Sequence, residues 1–242
     1  MMYFMPALFR RPASRLAPTP HRQKLQWGLS VLLIFGLVLG TSGHLVADAW
    51  QLNSTADGIT VYTRSVDNSK YNAFKGTIKV ESTLAGIVQL LDDAYSRCHS
   101  WMKRCILRRK LAQQGPLSIY YSATQMPWPL KNRDTIVQAR FFQDPATKAI
   151  TIDLLGLPSY LEVSADFERI AALSGRWQLI PIADGRVNVT YTLHVDPGGN
   201  IPALAYNPLV ARQPRVALGK LREVLPSYRT QTSAAVKEPP KR

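Results

Sequence analysis

The two cysteines of this 242-residue chain lie in Cys98-His-Ser-Trp-Met-Lys-Arg-Cys105, the one stretch whose residue types suggest thiol or metal chemistry. On one continuous helix, seven residues would hold the Cα atoms about 10 Å apart, too far for a disulfide. A bend near Ser100 would allow the bond, and an oxidising compartment would favour it. A disulfide and a pair of free buried thiols therefore both stand. A structural zinc site takes four ligands, and Cys98, His99 and Cys105 do not comfortably supply them. A Cys-His nucleophile needs a base aimed at the sulfur and a third group to orient it; neighbours in sequence rarely point that way, and no third group is evident. Beyond residue 49 the only histidines are His99 and His194. No HExxH, G-x-S-x-G, P-loop or dinucleotide fingerprint occurs, and Asp153, Asp166 and Glu168 are scattered without pairing. No catalytic residue, metal or cofactor is expected.

The remaining polar residues suit binding. Tyr120, Tyr121, Arg140, Asn188, Thr192 and His194 fall on expected strands, and Ile201, Leu204, Tyr206 and Asn207 on a helix near the C-terminus. Which strand residues face a core depends on register, because a slip of one residue exchanges the two faces.

Charge narrows the partners. The chain carries +14 overall, and without the first 49 residues, which hold Arg10, Arg11, Arg15, Arg22, Lys24 and Asp48, it still carries +10. Lys103, Arg104, Arg108, Arg109 and Lys110 form either a solvated face or a contact with acidic lipid headgroups. With no recognition-helix, RNP or zinc-finger pattern, nucleic acid is not an expected partner; an anionic membrane surface is. Residues 1–49 combine a basic start, an uncharged run from Gln26 to Val46 and the small-residue site Ala47-Asp48-Ala49. That is the layout of a secretory signal cleaved after Ala49, with retention of residues 27–47 as an inner-membrane anchor the rival reading. Both put the domain from Trp50 onward outside the cytoplasm, in the periplasm.

The elements that must position these residues follow from patterning. Asp57-Gly58 opens a strand over 59–63, and further strands run over 71–77 and 78–81, the latter continuing the former or starting anew. Ser82 or Thr83 caps a helix whose Leu84, Ile87, Val88 and Leu91 recur at helical spacing. No Gly or Pro occurs from Ile87 to Gln114, so helix can continue, although the sequence changes character at His99. Strands over 117–123, 135–142, 149–155, 167–172, 175–182 and 187–195 are joined by short turns, which favours antiparallel pairing. Asp196-Pro-Gly-Gly then turns into an amphipathic helix over 201–225, where Pro208 and Pro214 predict a break or kink. Residues 230–242 carry too little apolar content to pack and are expected to be disordered.

Several of these segments together resemble a known family. Pro127-Trp-Pro-Leu-Lys-Asn-Arg-Asp134 is similar to the Pro-Trp-Pro…Arg-Asp signature of START domains, the steroidogenic-acute-regulatory-related lipid-transfer family. Asp196-Pro-Gly-Gly-Asn-Ile-Pro202 with the helix after it, Asp57-Gly-Ile-Thr-Val61 and Gly175-Arg-Trp-Gln-Leu179 match in the same order, over roughly residues 50–229. The likeness is to the bacterial, exported branch. It implies an α+β helix-grip fold: a curved antiparallel sheet wrapped around a long C-terminal helix, with an internal hydrophobic cavity for one lipid or sterol-like molecule. It also implies binding without catalysis, residues 201–225 as a lid and Gly198-Gly199 as its hinge. The charged pair inside some sterol-carrying members has no counterpart here, since Ser122 and Ala139 fall near those places. Lipid binding and transfer by a monomer is the leading expectation. A helix-grip enzyme of cyclase or isomerase type, and a protein-interaction module without a transferable ligand, are the alternatives.

Overall fold

Alternating apolar and polar residues over most of the chain demand a half-covered sheet, and a sheet is what they build. The computed structural model describes residues 49–93, 98 and 104–240. Ten strands occur among them: β1 (Gln51–Ala56), β2 (Ile59–Val66), β3 (Ser69–Glu81), β4 (Cys105–Gln114), β5 (Leu117–Thr124), β6 (Asn132–Gln143), β7 (Ile150–Gly156), β8 (Phe167–Arg169), β9 (Ala172–Ile182) and β10 (Arg186–Asp196). Two α-helices, α1 (Leu84–Asp93) and α2 (Ala203–Val224), and a 3-10 turn over Leu225–Tyr228 complete the described elements. The sheet runs β1-β2-β3-β10-β9-β7-β6-β5-β4, and only β8, paired with the start of β6, is parallel to its neighbour.

The register settles which residues share a face. Ile78, Val189, Leu179 and Ile150 form one cross-strand row, and Gly76, Tyr191, Trp177, Ile152 and Phe141 form the next. Both rows lie on the inner face, where Leu84, Ile87 and Leu90 of α1 and Leu218 and Leu221 of α2 close the core. Tyr191 stacks on Trp177 at 3.9 Å between ring centroids and meets Phe74 edge-on at 5.2 Å. Asp57-Gly58 and Asp184-Gly185 both have positive φ at each residue, the turn whose twist suits a tight hairpin.

Helix α2 lies chiefly over β2 and β3. It packs tightly at Gly76, where an added Cβ would stand 2.6 Å from the Pro214 Cβ and 2.8 Å from a Leu218 methyl. The helix continues through Pro208 and Pro214 instead of breaking there. Two backbone donors are given up, but the buried Pro214 ring fills the space that Gly76 leaves. Asn207 fastens the other end: its side chain accepts from the Asn72 N–H at 3.0 Å and donates to the Lys70 carbonyl at 3.3 Å. Those are strand groups beyond Phe74, where the pairing of β3 with β10 stops.

Two expectations need correction, and one open alternative is resolved. Helix does not extend toward Gln114: α1 ends at Asp93, and Cys105 starts β4, whose cations sit on an edge strand that like charge protects from pairing with another chain. Cys98 and Cys105 form a disulfide across a Cα–Cα distance of 5.8 Å, which is the first of the two alternatives. The segment from Thr230 to Pro240 packs. Val236 is buried against the core, Gln143 holds both the Lys237 N–H (2.8 Å) and its carbonyl (2.7 Å), and Glu238 accepts from the N–H groups of Leu84 (3.1 Å) and Ala85 (2.7 Å). Composition was a poor guide there because one apolar residue and one carboxylate suffice when they meet a core edge and a helix start. A carboxylate there satisfies orphan donors and complements the helix dipole. Thr83 adds a cap through the Gly86 N–H at 2.9 Å.

Two stability measurements follow. Gly76→Ala should destabilise the domain by about 1–3 kcal/mol in urea titration, as overpacking against a helix does. Glu238→Ala should lower stability by about 1 kcal/mol, the worth of a helix cap, and removal of residues 230–242 by more, because Val236 leaves the core with it.

Candidate functional site

The site residues divide by face. On β10, Val187, Val189 and Tyr191 point to the core, so Asn188, Thr192 and His194 belong to the outer face, opposite Lys79, Lys75 and Ser174 in register. His194 lies 2.9 Å from the Ser69 hydroxyl, and burial holds its imidazole below the usual range. Arg140 is exposed on the outer face opposite Asp153. Tyr121 is on that face too, under the Arg109 guanidinium, with burial and the Asp134 carboxylate pushing its phenol up. Tyr120 alone of the strand candidates is on the inner face. It is buried, and its hydroxyl donates to Asp92 of α1 at 2.9 Å.

The four helix candidates lie at the start of α2. Ile201 is buried and its carbonyl accepts from the Tyr71 hydroxyl at 2.9 Å. Tyr206 packs edge-on against Tyr71 at 5.0 Å, and burial pushes its phenol up to about 12. Asn207 is committed to β3, as described. Leu204 is 90% exposed, and Leu209 and Val216 are also exposed on α2.

At one end of the sheet a charged knot ties three loops together. Asp134 of β6 is buried and takes Arg169 of β8 through two bonds, of 2.7 and 2.9 Å. The same guanidinium donates to the carbonyls of Pro158 (2.6 Å), Leu161 (3.0 Å) and Glu162 (3.2 Å), and its pairing with Asp134 raises its pKa. Buried Arg133, on the other side of the strand, donates to the carbonyls of Lys131, Pro197 and Gly198. The Gly198 backbone has positive φ, and an added Cβ would meet the Arg169 carbonyl at 2.6 Å. Thus the Pro-Trp-Pro loop, the loop over 157–166 and the turn into α2 are fixed by two adjacent residues. These residues are structural. Arg169 was invisible beforehand, because nothing in sequence marks a partner 35 positions from Asp134.

The loops so held present apolar side chains outward. Trp128, before a cis bond to Pro129, is 93% exposed, Leu130 follows it in the same loop, and Tyr160, Leu161 and Val163 are exposed in the loop over 157–166. Lys131 bridges the two loops through the Ala165 carbonyl at 3.2 Å. Arg104, Met126 and Trp128 help line a surface depression of about 260 Å³. A second, of about 240 Å³, lies between Lys79, Glu81, Arg222 and Arg229. Neither is the internal cavity expected from the sequence.

What the inner face does offer is apolar surface only partly covered. Tyr191, Ile152, Leu154 and Phe141 are half-buried although they face the core, since α2 sits to one side, over β2 and β3. Such a strip can bind an apolar molecule. Nothing among the described residues groups His, Cys, Asp and Glu into a metal site. His99, and the signal or anchor segment expected within residues 1–49, apart from Ala49 itself, lie outside the described residues.

The knot is open to test. Arg169→Met should cost about 3–5 kcal/mol in chemical denaturation, because it strands a buried carboxylate. The double variant Asp134→Asn/Arg169→Met should recover part of that loss.

Comparison with known proteins agrees with this architecture. A STAR-related lipid transfer protein fragment from Xanthomonas axonopodis superposes with a TM-score of 0.68 at 32% identity, over 74% of this chain and 99% of the other. Human STARD10 superposes at 0.66 with 19% identity, over 74% of each chain, which speaks for the fold alone. An uncharacterized Pseudomonas aeruginosa protein, PA1579, is 31% identical over 194 residues, which is 80% of this chain and 95% of that protein. The START domain pattern itself matches residues 44–224, and the chain belongs to the START domain family.

Proposed function

We propose that this protein binds one lipid or sterol-like molecule between the inner face of the sheet and α2, without catalysis, and exchanges it with membranes. The observation that carries this reading is the half-buried apolar strip of Tyr191, Ile152, Leu154 and Phe141 in a member of a lipid-binding family. An apolar site with few polar groups is the usual form of a lipid pocket. Because α2 is held at Asn207 and at the Gly76–Pro214 contact, entry of a ligand requires the start of α2, or the loops beside it, to move.

Exchange needs a membrane-facing surface, and the loop end supplies the chemistry for one. Trp128 is fully presented, the neighbouring loop carries Tyr160, Leu161 and Val163, and Arg104 and Lys131 stand next to them. Aromatic side chains prefer the headgroup level of a bilayer, and lysine and arginine are drawn to its anionic lipids. Export to the periplasm is part of the same proposal: the N-terminal segment has the layout of a signal, and the Cys98–Cys105 disulfide favours an oxidising compartment.

Two measurements test the reading. Native mass spectrometry of the full chain, produced in exporting cells, should show one lipid adduct per protein that organic extraction removes. A bare mass under every condition, with no uptake from a lipid mixture, would sink it. In vesicle flotation with anionic phospholipid, Trp128→Ala should weaken association by about tenfold, the loss expected when one buried aromatic is removed, while thermal stability stays unchanged.

A further inference from the structure

Most of β3 is paired on both sides, with β2 and with β10, but its first part is not. The ladder to β10 stops at Phe74–Leu193, while β10 itself runs on to Asp196 in register with β9. The ladder to β2 shifts register between Arg64 and Val66. Residues 69–73 therefore diverge from β10, and a side chain stands in for the missing backbone pairing. His194 Nε2 lies 2.9 Å from the Ser69 hydroxyl, and the ring also bonds the Tyr71 backbone. Ser69 Oγ in turn accepts from the Tyr71 N–H at 3.1 Å.

The same end of β3 carries the start of α2. Asn207 bonds the Asn72 N–H and the Lys70 carbonyl, the Tyr71 hydroxyl donates to the Ile201 carbonyl, and the Tyr71 and Tyr206 rings meet edge-on. Three hydrogen bonds and a ring contact thus join residues 69–73 to α2, whereas one imidazole joins them to β10. Helix α2 also has a joint of its own. Proline has no backbone N–H, so the bonds from position 208 to the Leu204 carbonyl and from position 214 to the Val210 carbonyl cannot form. Beyond that joint the helix is pinned at Gly76.

We infer that residues 69–73 of β3 and the first half of α2 open as one body, with His194 as the latch that holds this body to β10. The inference rests on the carrier reading above, and it names the part that moves and what restrains it. The latch responds to protonation. Burial disfavours the charged ring and Arg64 of β2 adds to that, while the Tyr71 backbone and Asp196 of β10 oppose it without reversing it. Opposite His194, β9 sets uncharged Ser174; α2 brings Tyr206, whose phenol is pushed up to about 12 and stays neutral; Lys70 sits over the Tyr71 ring at 5.2 Å. The closed form therefore prefers the neutral ring, and the opened form takes up a proton more readily. The grip is whole above about pH 6.5, the value of an exposed histidine, and weakens as pH falls below it.

The test is NMR of isotope-labelled full chain across about pH 8 to 5, where histidine titrates. In wild type the Asn72 amide and the Asn207 side-chain amide should shift with the midpoint of the His194 ring, while the Leu218 amide stays in place. His194→Gln keeps a neutral polar group near the position of Nε2 and should abolish both shifts. Release of a fluorescent phosphatidylcholine to vesicles of unlabelled phosphatidylcholine should quicken as pH falls, by up to about tenfold for each pH unit between the closed and exposed midpoints of the ring. His194→Gln should release slowly at every pH, and His194→Ala fast at every pH. An Asn207 amide that ignores His194, a Leu218 amide that shifts as much, or a His194→Gln protein that keeps the wild-type pH profile overturns the proposal. A wild type that takes up neither this probe nor any lipid of a mixture ends the carrier reading instead, and the amide titrations still decide the latch.

Discussion

The buried bond between Asp134 and Arg169 is the constraint on which the exposed loop end of this molecule depends. Taking both charges out of water is expensive, and their attraction repays it only when the other donors and acceptors are also used. Here they are: every carbonyl that Arg169 takes belongs to the loop over 157–166. Arg133, one residue before Asp134 and on the opposite side of β6, does the same for the turn at Pro197 and Gly198. A strand alternates faces, so two consecutive residues can reach two different loops. Loops that expose Trp128, Tyr160 and Val163 would otherwise collapse onto nearby apolar surface. The ionic knot holds them out.

At the other end, the fold secures α2 by shape. Gly76 lets the helix sit on β3 closely enough for Pro214 and Leu218 to pack, and the 3-10 turn carries the chain on to α1, where Tyr228 meets Gly86. Residues 230–240 then cross to Gln143 and to the start of α1. The second half of α2 is therefore fixed through packing and through the tail. Its first half combines polar contacts, from Asn207 to β3 and from Tyr71 to the Ile201 carbonyl, with burial of Ile201 and Val210 and the packing of Tyr206 on Tyr71. Polar contacts exchange with water at little net loss, whereas buried apolar contacts do not.

The sequence made the strand-rich architecture and the START likeness legible, because alternation, Asp-Gly turns and the Pro-Trp-Pro…Arg-Asp stretch are local signals. Strands β5 to β10 and helix α1 lie close to where patterning put them. Strand β4 was hidden: its run of Arg108, Arg109 and Lys110 has no apolar alternation, because it is an edge with one side partly solvated. The polar residues of β10 drew attention as ligand candidates, yet an inner face that is apolar leaves polar residues to the outer one. Register decided the matter, and register is a property of pairing that no single strand displays. The docked tail was equally hidden. Its anchors, Val236 and Glu238, matter only because of what they meet.

The same alternation bears on how a carrier could tell one lipid from another. A bilayer interior is about as apolar as a strip of Ile152, Leu154 and Phe141, so moving a hydrocarbon tail between them changes its free energy little. Tail length then adds little selectivity. The headgroup, which leaves water and neighbouring lipids for a fixed set of donors, has to supply most of it. Sparse polarity inside is consequently no weakness in a carrier. Each added polar group would demand a partner in the empty state, and Lys110 already has one in Asp92. A cation paired with a neighbouring carboxylate can stand at the edge of an apolar surface without the penalty of an unpaired charge.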